Sequence, residues 1–92
     1  MKTKEVKEKV VFYSVRFDCN AGGYKVPIKI NYPTRSLEDF DRETKLLKKI
    51  VEMIFEYGGT CHLHGGLNGI FNSRERAEIF KITAELEDWE VA

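Results

Sequence analysis

The stretch SRERAEIFKITAELEDW, residues 73–89, decides between two folds for this chain. Read with period two, Phe80, Ile82, Ala84 and Leu86 alternate with Lys81, Thr83, Glu85 and Glu87, the pattern of a strand with one apolar face. Read with period 3.6, Ile79, Ile82, Leu86 and Trp89 fall on one side of a helix, and Asn72-Ser73 with Glu75 offers that helix a capped start. The strand, over about residues 78–87 and reached by a turn around Asn72–Arg76, is the preferred reading. A C-terminal helix is the alternative.

The elements upstream are clearer. Between residues 10 and 32, Val11, Tyr13, Val15, Phe17 and Cys19 alternate with polar neighbours. After Asn20-Ala21-Gly22-Gly23, Tyr24, Val26, Ile28, Ile30 and Tyr32 do the same. This predicts a hairpin with one apolar face. A loop over 20–23 places Cys19 opposite Tyr24, Phe17 opposite Val26, Val15 opposite Ile28, Tyr13 opposite Ile30 and Val11 opposite Tyr32. It also places Asp18 opposite Lys25 on the other face. Pro27 cannot donate to a ladder, so its strand is expected at a sheet edge or with the proline nitrogen turned outward.

Residues 36–57 predict one long helix, with Ser36 as N-cap, Glu38 and Asp39 in the first turn and Gly58-Gly59 at the end. Leu37, Phe40, Leu47, Ile50, Val51 and Ile54 form its apolar stripe, which Leu46, Met53, Phe55 and Tyr57 widen. From Cys61 to Phe71 the odd positions suit a strand bent by glycines, with Cys61, Leu63, Leu67 and Phe71 inward.

The expected fold is therefore α+β: β-β-α-β-β, a four-stranded, mainly antiparallel sheet packed on one long helix. The whole chain, 1–92, forms a single domain with residues 1–9 as a charged, flexible lead-in. Four strands make a sheet roughly 19 Å across, whereas a helix is about 10 Å wide. One helix then leaves half of the apolar face open. An open strip of that size points to an interface, and a two-fold homodimer is the simplest closure. The rival is a diagonal helix, with the tail and Trp89 covering the rest.

Composition narrows the class of function. The 15 basic and 15 acidic residues balance to a formal charge of zero, so the total gives no support to wholesale polyanion binding. No apolar run reaches the length of a membrane span, and MKTKEVKEK is not followed by the apolar core of a secretory signal. The expected location is cytoplasmic. The chain has no glutamine but is rich in Lys and Glu, a hyperthermophile pattern. Cys19 and Cys61 are expected as free thiols, with a disulfide as the alternative.

CHLHGG, residues 61–66, holds the densest chemistry, but the predicted register splits it. Cys61 and Leu63 face the core, while His62 and His64 face outward. A zinc site needs further ligands, and the chain has no other histidine. No metal, no cofactor and no catalytic residues are expected. The outward face offers instead a candidate polyanion-binding set of Arg16, Lys25, Lys29, His62, His64 and Lys81. The glycines 65, 66 and 69 fit neither a P-loop nor a dinucleotide loop and read as a bend. The sequence thus leans away from an enzyme. It favours a small intracellular binding or regulatory protein acting through protein contacts, as a homodimer. The alternative is a nucleic-acid or nucleotide-binding module. A metal-independent phosphodiesterase using His62 and His64 ranks below both.

Overall fold

The structure, a computed structural model, describes residues 10–31, 35–63 and 65–89. The order of elements is β1 (Val10–Phe12), β2 (Arg16–Asp18), β3 (Gly23–Ile30), α1 (Leu37–Glu56), β4 (Thr60–His62), β5 (Leu67–Phe71) and α2 (Arg74–Glu85). The strands form one antiparallel sheet in the order β1-β3-β5-β4, with β2 continuing the β1 side along β3. The fold is α+β, and the long helix packs on the sheet as expected.

The last element is the helix, so the preferred strand over 78–87 is corrected to the alternative. Ser73 caps it, its hydroxyl accepting from the Arg76 N–H at 3.1 Å. Arg, Glu and Ala supply high helix propensity in the first turn. The buried stripe is Ala77, Phe80 and Ala84. Ile79, Ile82 and Leu86 point away from the sheet, opposite to the helical stripe read from the sequence. The two alanines explain the choice, because small side chains let the helix approach the sheet closely around one large ring. Trp89 then folds back over this layer. It is buried, and its indole N–H donates to the Ala84 carbonyl at 2.8 Å. Together α2 and Trp89 cover the half of the apolar face expected to be open, so that face is not an uncovered strip.

Both helices lie on one side of the sheet. Val26, Ile28, Leu67 and Phe71 face them, and Phe80 makes the central contact, with Phe71, Phe12 and Tyr57 at ring-centroid distances of 5.0, 5.8 and 6.1 Å. On α1 the Ser36 cap forms as expected, the Asp39 N–H donating to the Ser36 hydroxyl at 3.2 Å, and Gly58 follows the last turn with φ +83°.

The hairpin register differs from the expected one. The loop spans 19–22, because the Asp18 carboxylate accepts from the N–H groups of Asn20 (3.0 Å) and Ala21 (3.4 Å) and starts the turn one residue early. Phe17 therefore pairs with Tyr24 and Arg16 with Lys25. Further along, Phe12 pairs with Ile28 and Val10 with Ile30. One extra residue thus sits between Phe12 and Arg16, a β-bulge. It reverses the expected faces before it: Val10 and Phe12 are buried in the core, while Tyr13 is exposed. Phe17 is exposed as well, and Cys19 sits exposed in the turn, so neither lies in the core as expected. Both cysteines are free thiols. Tyr32 and its predicted pairing lie outside the described residues, as does the lead-in 1–9.

The bulge also accounts for Pro27. Its strand is central, not at an edge. Its carbonyl accepts from the Tyr13 N–H at 2.9 Å, so its missing donor faces the interrupted stretch 13–15, where no regular ladder bond is lost.

Residues 61–71 are not one bent strand. They form a tight hairpin, β4 and β5, whose turn holds Gly65 at φ +72° and Gly66 at +117°. Positive φ at two neighbouring positions is what glycines allow and other residues resist. Leu63, expected inward, lies in this turn and is 72% exposed.

Candidate functional site

The side of the sheet away from the helices is open, and the pairing register shows what it carries. One row across it runs Arg16, Lys25, Ile70, Thr60; the next runs Pro27, Asn68, His62. Lys29 continues β3 two residues beyond Pro27, opposite Val11. Of the six candidate residues, Arg16, Lys25, Lys29 and His62 share this face. Lys81 does not: it sits on α2, across the sheet, bonded to Glu85 at 2.9 Å. That is a correction with a simple cause, since its placement on the sheet required the last element to be a strand. His64 lies outside the described residues.

Ile70 and Asn68 are both buried and were not singled out from the sequence. Ile70 stands apart from the main core and fills the space between its row neighbours. The Asn68 amide donates to the Gly66 carbonyl at 3.0 Å and so braces the β4–β5 turn beside His62. The alternation within Leu67–Phe71 was the signal that placed them on this face.

The strands of this formally neutral chain carry a small excess of cations. The described sheet strands carry three cations, Arg16, Lys25 and Lys29, and a single acid, Asp18. The other described acids lie on or beside the helices, from Glu38 to Glu56 on α1 and from Glu75 to Asp88 along and after α2. Asp18 partly offsets the sheet cations, because its carboxylate meets the Lys25 ammonium at 3.3 Å. The predicted Asp18–Lys25 attraction is thus present, reached diagonally instead of from opposite positions. The bond from Lys25, helped by the two turn N–H groups and opposed by partial burial, holds the Asp18 carboxyl below its ordinary value of 3.8.

A carboxyl with a lowered folded-state pKa stabilises the fold above its unfolded value and loses that contribution as pH falls through the folded one. Asp18→Asn keeps an oxygen for the turn N–H groups but removes the charge. Urea midpoints of wild type and variant should therefore differ most near neutral pH and converge toward about pH 2. A constant difference across that range would rule out the ionic contribution.

Among the described residues, no group of three or more His, Cys, Asp or Glu side chains gathers as a metal-binding cluster. Glu85 and Glu87 lie on and after α2, on the far side of the sheet from His62. Cys61 is half-buried on the helix side, and burial pushes its thiol up, away from the low pKa of a nucleophilic cysteine.

The helix layer presents a second kind of surface. On α1 the buried line runs through Leu46, Ile50, Met53 and Ile54. Lys49 lies on one flank, its ammonium 5.5 Å from the Trp89 ring centroid, which marks the side facing α2. At 100° per residue, Phe40 and Val51 fall on the opposite flank, toward the β4 edge, while Phe55 lies nearly opposite the buried line and faces solvent. Phe40 and Phe55 are more than half exposed. Leu63 stands exposed just beyond β4. On α2, the outward stripe of Ile79, Ile82 and Leu86 is also exposed, bordered by Glu75, Glu78 and Glu85.

Comparison with protein-family models, with curated proteins and with solved structures gives no match for this chain. No helix among the described residues is long and apolar enough to cross a membrane.

Proposed function

We propose that this is a small intracellular, non-enzymatic binding module that acts through protein contacts, as a homodimer. The observation that carries the reading is the set of large apolar side chains left exposed at both ends of α1 and after β4. Phe40, Phe55 and Leu63 are each more than half exposed in a domain whose core is otherwise closed. A single exposed apolar residue is ordinary, whereas several large ones on so small a domain favour a contact surface. The glutamine-free, Lys- and Glu-rich composition fits a protein working at high temperature. Light scattering on the eluting peak of a size-exclusion column tests the assembly. A mass near twice 10.7 kDa is expected at high concentration, and a 10.7 kDa particle throughout would remove the homodimer.

A second reading has its own observation, the excess of cations on the open sheet face. Arg16, Lys25 and Lys29, with His62 and exposed Tyr13 nearby, offer phosphate contacts and one stacking ring to a single-stranded nucleic acid. Two or three phosphate contacts imply a slope of log K against log salt of about −2 for a single strand. Titration of a fluorescent oligonucleotide should give that slope, and the Arg16→Ala/Lys29→Ala variant should flatten it. Absence of binding at low salt removes this reading.

A further inference from the structure

We infer that Trp89 is a reversible plug: it fills a slot for an indole ring between α1, α2 and β1, and its release frees that slot for a tryptophan side chain of a protein partner. This rests on the reading of the chain as a protein-contact module but not on the homodimer, since the slot lies within one copy.

The slot is defined by the occupant it already holds. The Trp89 ring is buried, its centroid 5.9 Å from that of Phe12 on β1. Its N–H donates to the Ala84 carbonyl of α2 at 2.8 Å. The Lys49 ammonium of α1 stands 5.5 Å from the ring centroid. An apolar wall, one directed acceptor and one cation near the ring face are three separate contacts, and an indole satisfies all of them. A phenyl ring would leave the acceptor unused.

Trp89 is held differently from the rest of the core. Among the described residues, the other buried rings, Phe12, Phe71 and Phe80, belong to strands or to a helix. Trp89 instead ends a short strap after α2, in which Leu86, Glu87 and Asp88 are all exposed. The Glu87 N–H donates to the Ala84 carbonyl at 3.1 Å. Beyond it, the backbones of Asp88 and Trp89 make no hydrogen bond to another described residue. One side chain therefore carries the attachment of the strap, and its burial is offset by the cost of ordering the exposed residues before it. A segment held in this way opens at a lower free energy than the domain unfolds. The walls of the slot stay in place when it opens, because α2 is anchored through Ala77 and Phe80 and α1 through Leu46, Ile50 and Ile54.

Trp89 is the only tryptophan in the chain, so tryptophan fluorescence reports the plug by itself. Acrylamide quenching of the full chain is followed through a urea titration beside far-UV circular dichroism. Trp89 should become accessible to the quencher at lower urea than the helices are lost, and coincident transitions overturn the plug. The slot is tested with N-acetyl-tryptophanamide and calorimetric titration. The Trp89→Ala chain should bind it about tenfold or more tighter than the full chain, because a closed plug lowers apparent affinity by the open fraction. The 1-methyl derivative, whose methyl group replaces the donor to Ala84, should bind about fivefold more weakly. No binding to Trp89→Ala, equal affinity for both chains or indifference to the methyl group overturns the slot. If Trp89→Ala fails to fold by circular dichroism, Trp89 is an integral core ring and the plug is overturned as well. A 10.7 kDa particle at every concentration removes the homodimer and leaves the plug standing, so the two readings fail separately.

Discussion

Phe80→Ala is expected to be the most damaging single substitution in this chain. The ring is fully buried and contacts Phe71 of β5, Phe12 of β1 and Tyr57 at the end of α1, so one side chain joins both helices to the sheet. Removing it takes away the transfer free energy of a buried aromatic and leaves a cavity, together about 3–5 kcal/mol. A domain of this size has about 5–15 kcal/mol in total. At ~4–8 °C per kcal/mol, the melting temperature should fall by more than about 12 °C. Ile82→Ala, two residues away and exposed, should change stability by no more than about 0.5 kcal/mol. The pair of variants also separates the two readings of residues 73–89. A strand would bury Phe80, Ile82 and Leu86 alike and make the two losses comparable. Thermal melts followed by circular dichroism provide the comparison.

Gly59→Ala should be the second large effect, and for the opposite reason. Gly59 joins α1 to β4, and a Cβ there would meet Phe71 Cε2 at 2.5 Å, the Ile70 carbonyl oxygen at 2.8 Å and Phe71 Cδ2 at 2.8 Å. The Phe71 ring is held in place by Phe80, packed against it with 5.0 Å between ring centroids. The carbonyl belongs to the backbone of β5 and moves only with the sheet. Overpacking against such fixed neighbours costs about 3 kcal/mol. Gly65→Ala is the control. Its Cβ meets nothing within 4 Å, so only the left-handed conformation at φ +72° opposes it, about 1 kcal/mol. Urea melts in which Gly65→Ala is the more destabilised of the two would overturn this account of the α1–β4 junction.

Local pattern made part of this structure legible and misled in identifiable places. The Ser36 cap and the glycines after α1 are short-range features, and they appear where the sequence puts them, whereas the buried line of α1 runs through Leu46 and Met53 with Ile50 and Ile54 and leaves Leu37 and Phe40, read as part of its stripe, exposed. The alternation in β3 correctly set Val26 and Ile28 against Lys25 and Lys29, and His62 is turned outward from Cys61 as its parity requires. Four of the six candidate face residues could therefore be grouped from alternation alone. The pairing of β1 and β2 could not. The Asp18 side chain moved the turn by one position, which changed the partners but not the faces, and the bulge then slipped the register by one residue and moved Val10–Tyr13 between faces. Lys81 was lost from the face with the strand that was to carry it.

What the sequence determined by itself is the set of features whose signals are local: an apolar β3, a capped long helix, the opposed faces of Cys61 and His62 and a chain of zero formal charge. The identity of residues 73–89 was decided only in the tertiary structure. Both periods fit that segment, and the choice fell to the surface it had to cover. The half of the sheet beyond α1 needed a lid that could come close, and Ala77 and Ala84 around Phe80 allow that approach, leaving the more apolar Ile79–Ile82–Leu86 stripe in solvent. The same long-range packing set Arg16, Lys25 and Lys29 on one sheet face, because a sum over the sequence carries no information about which side of a sheet each residue will occupy.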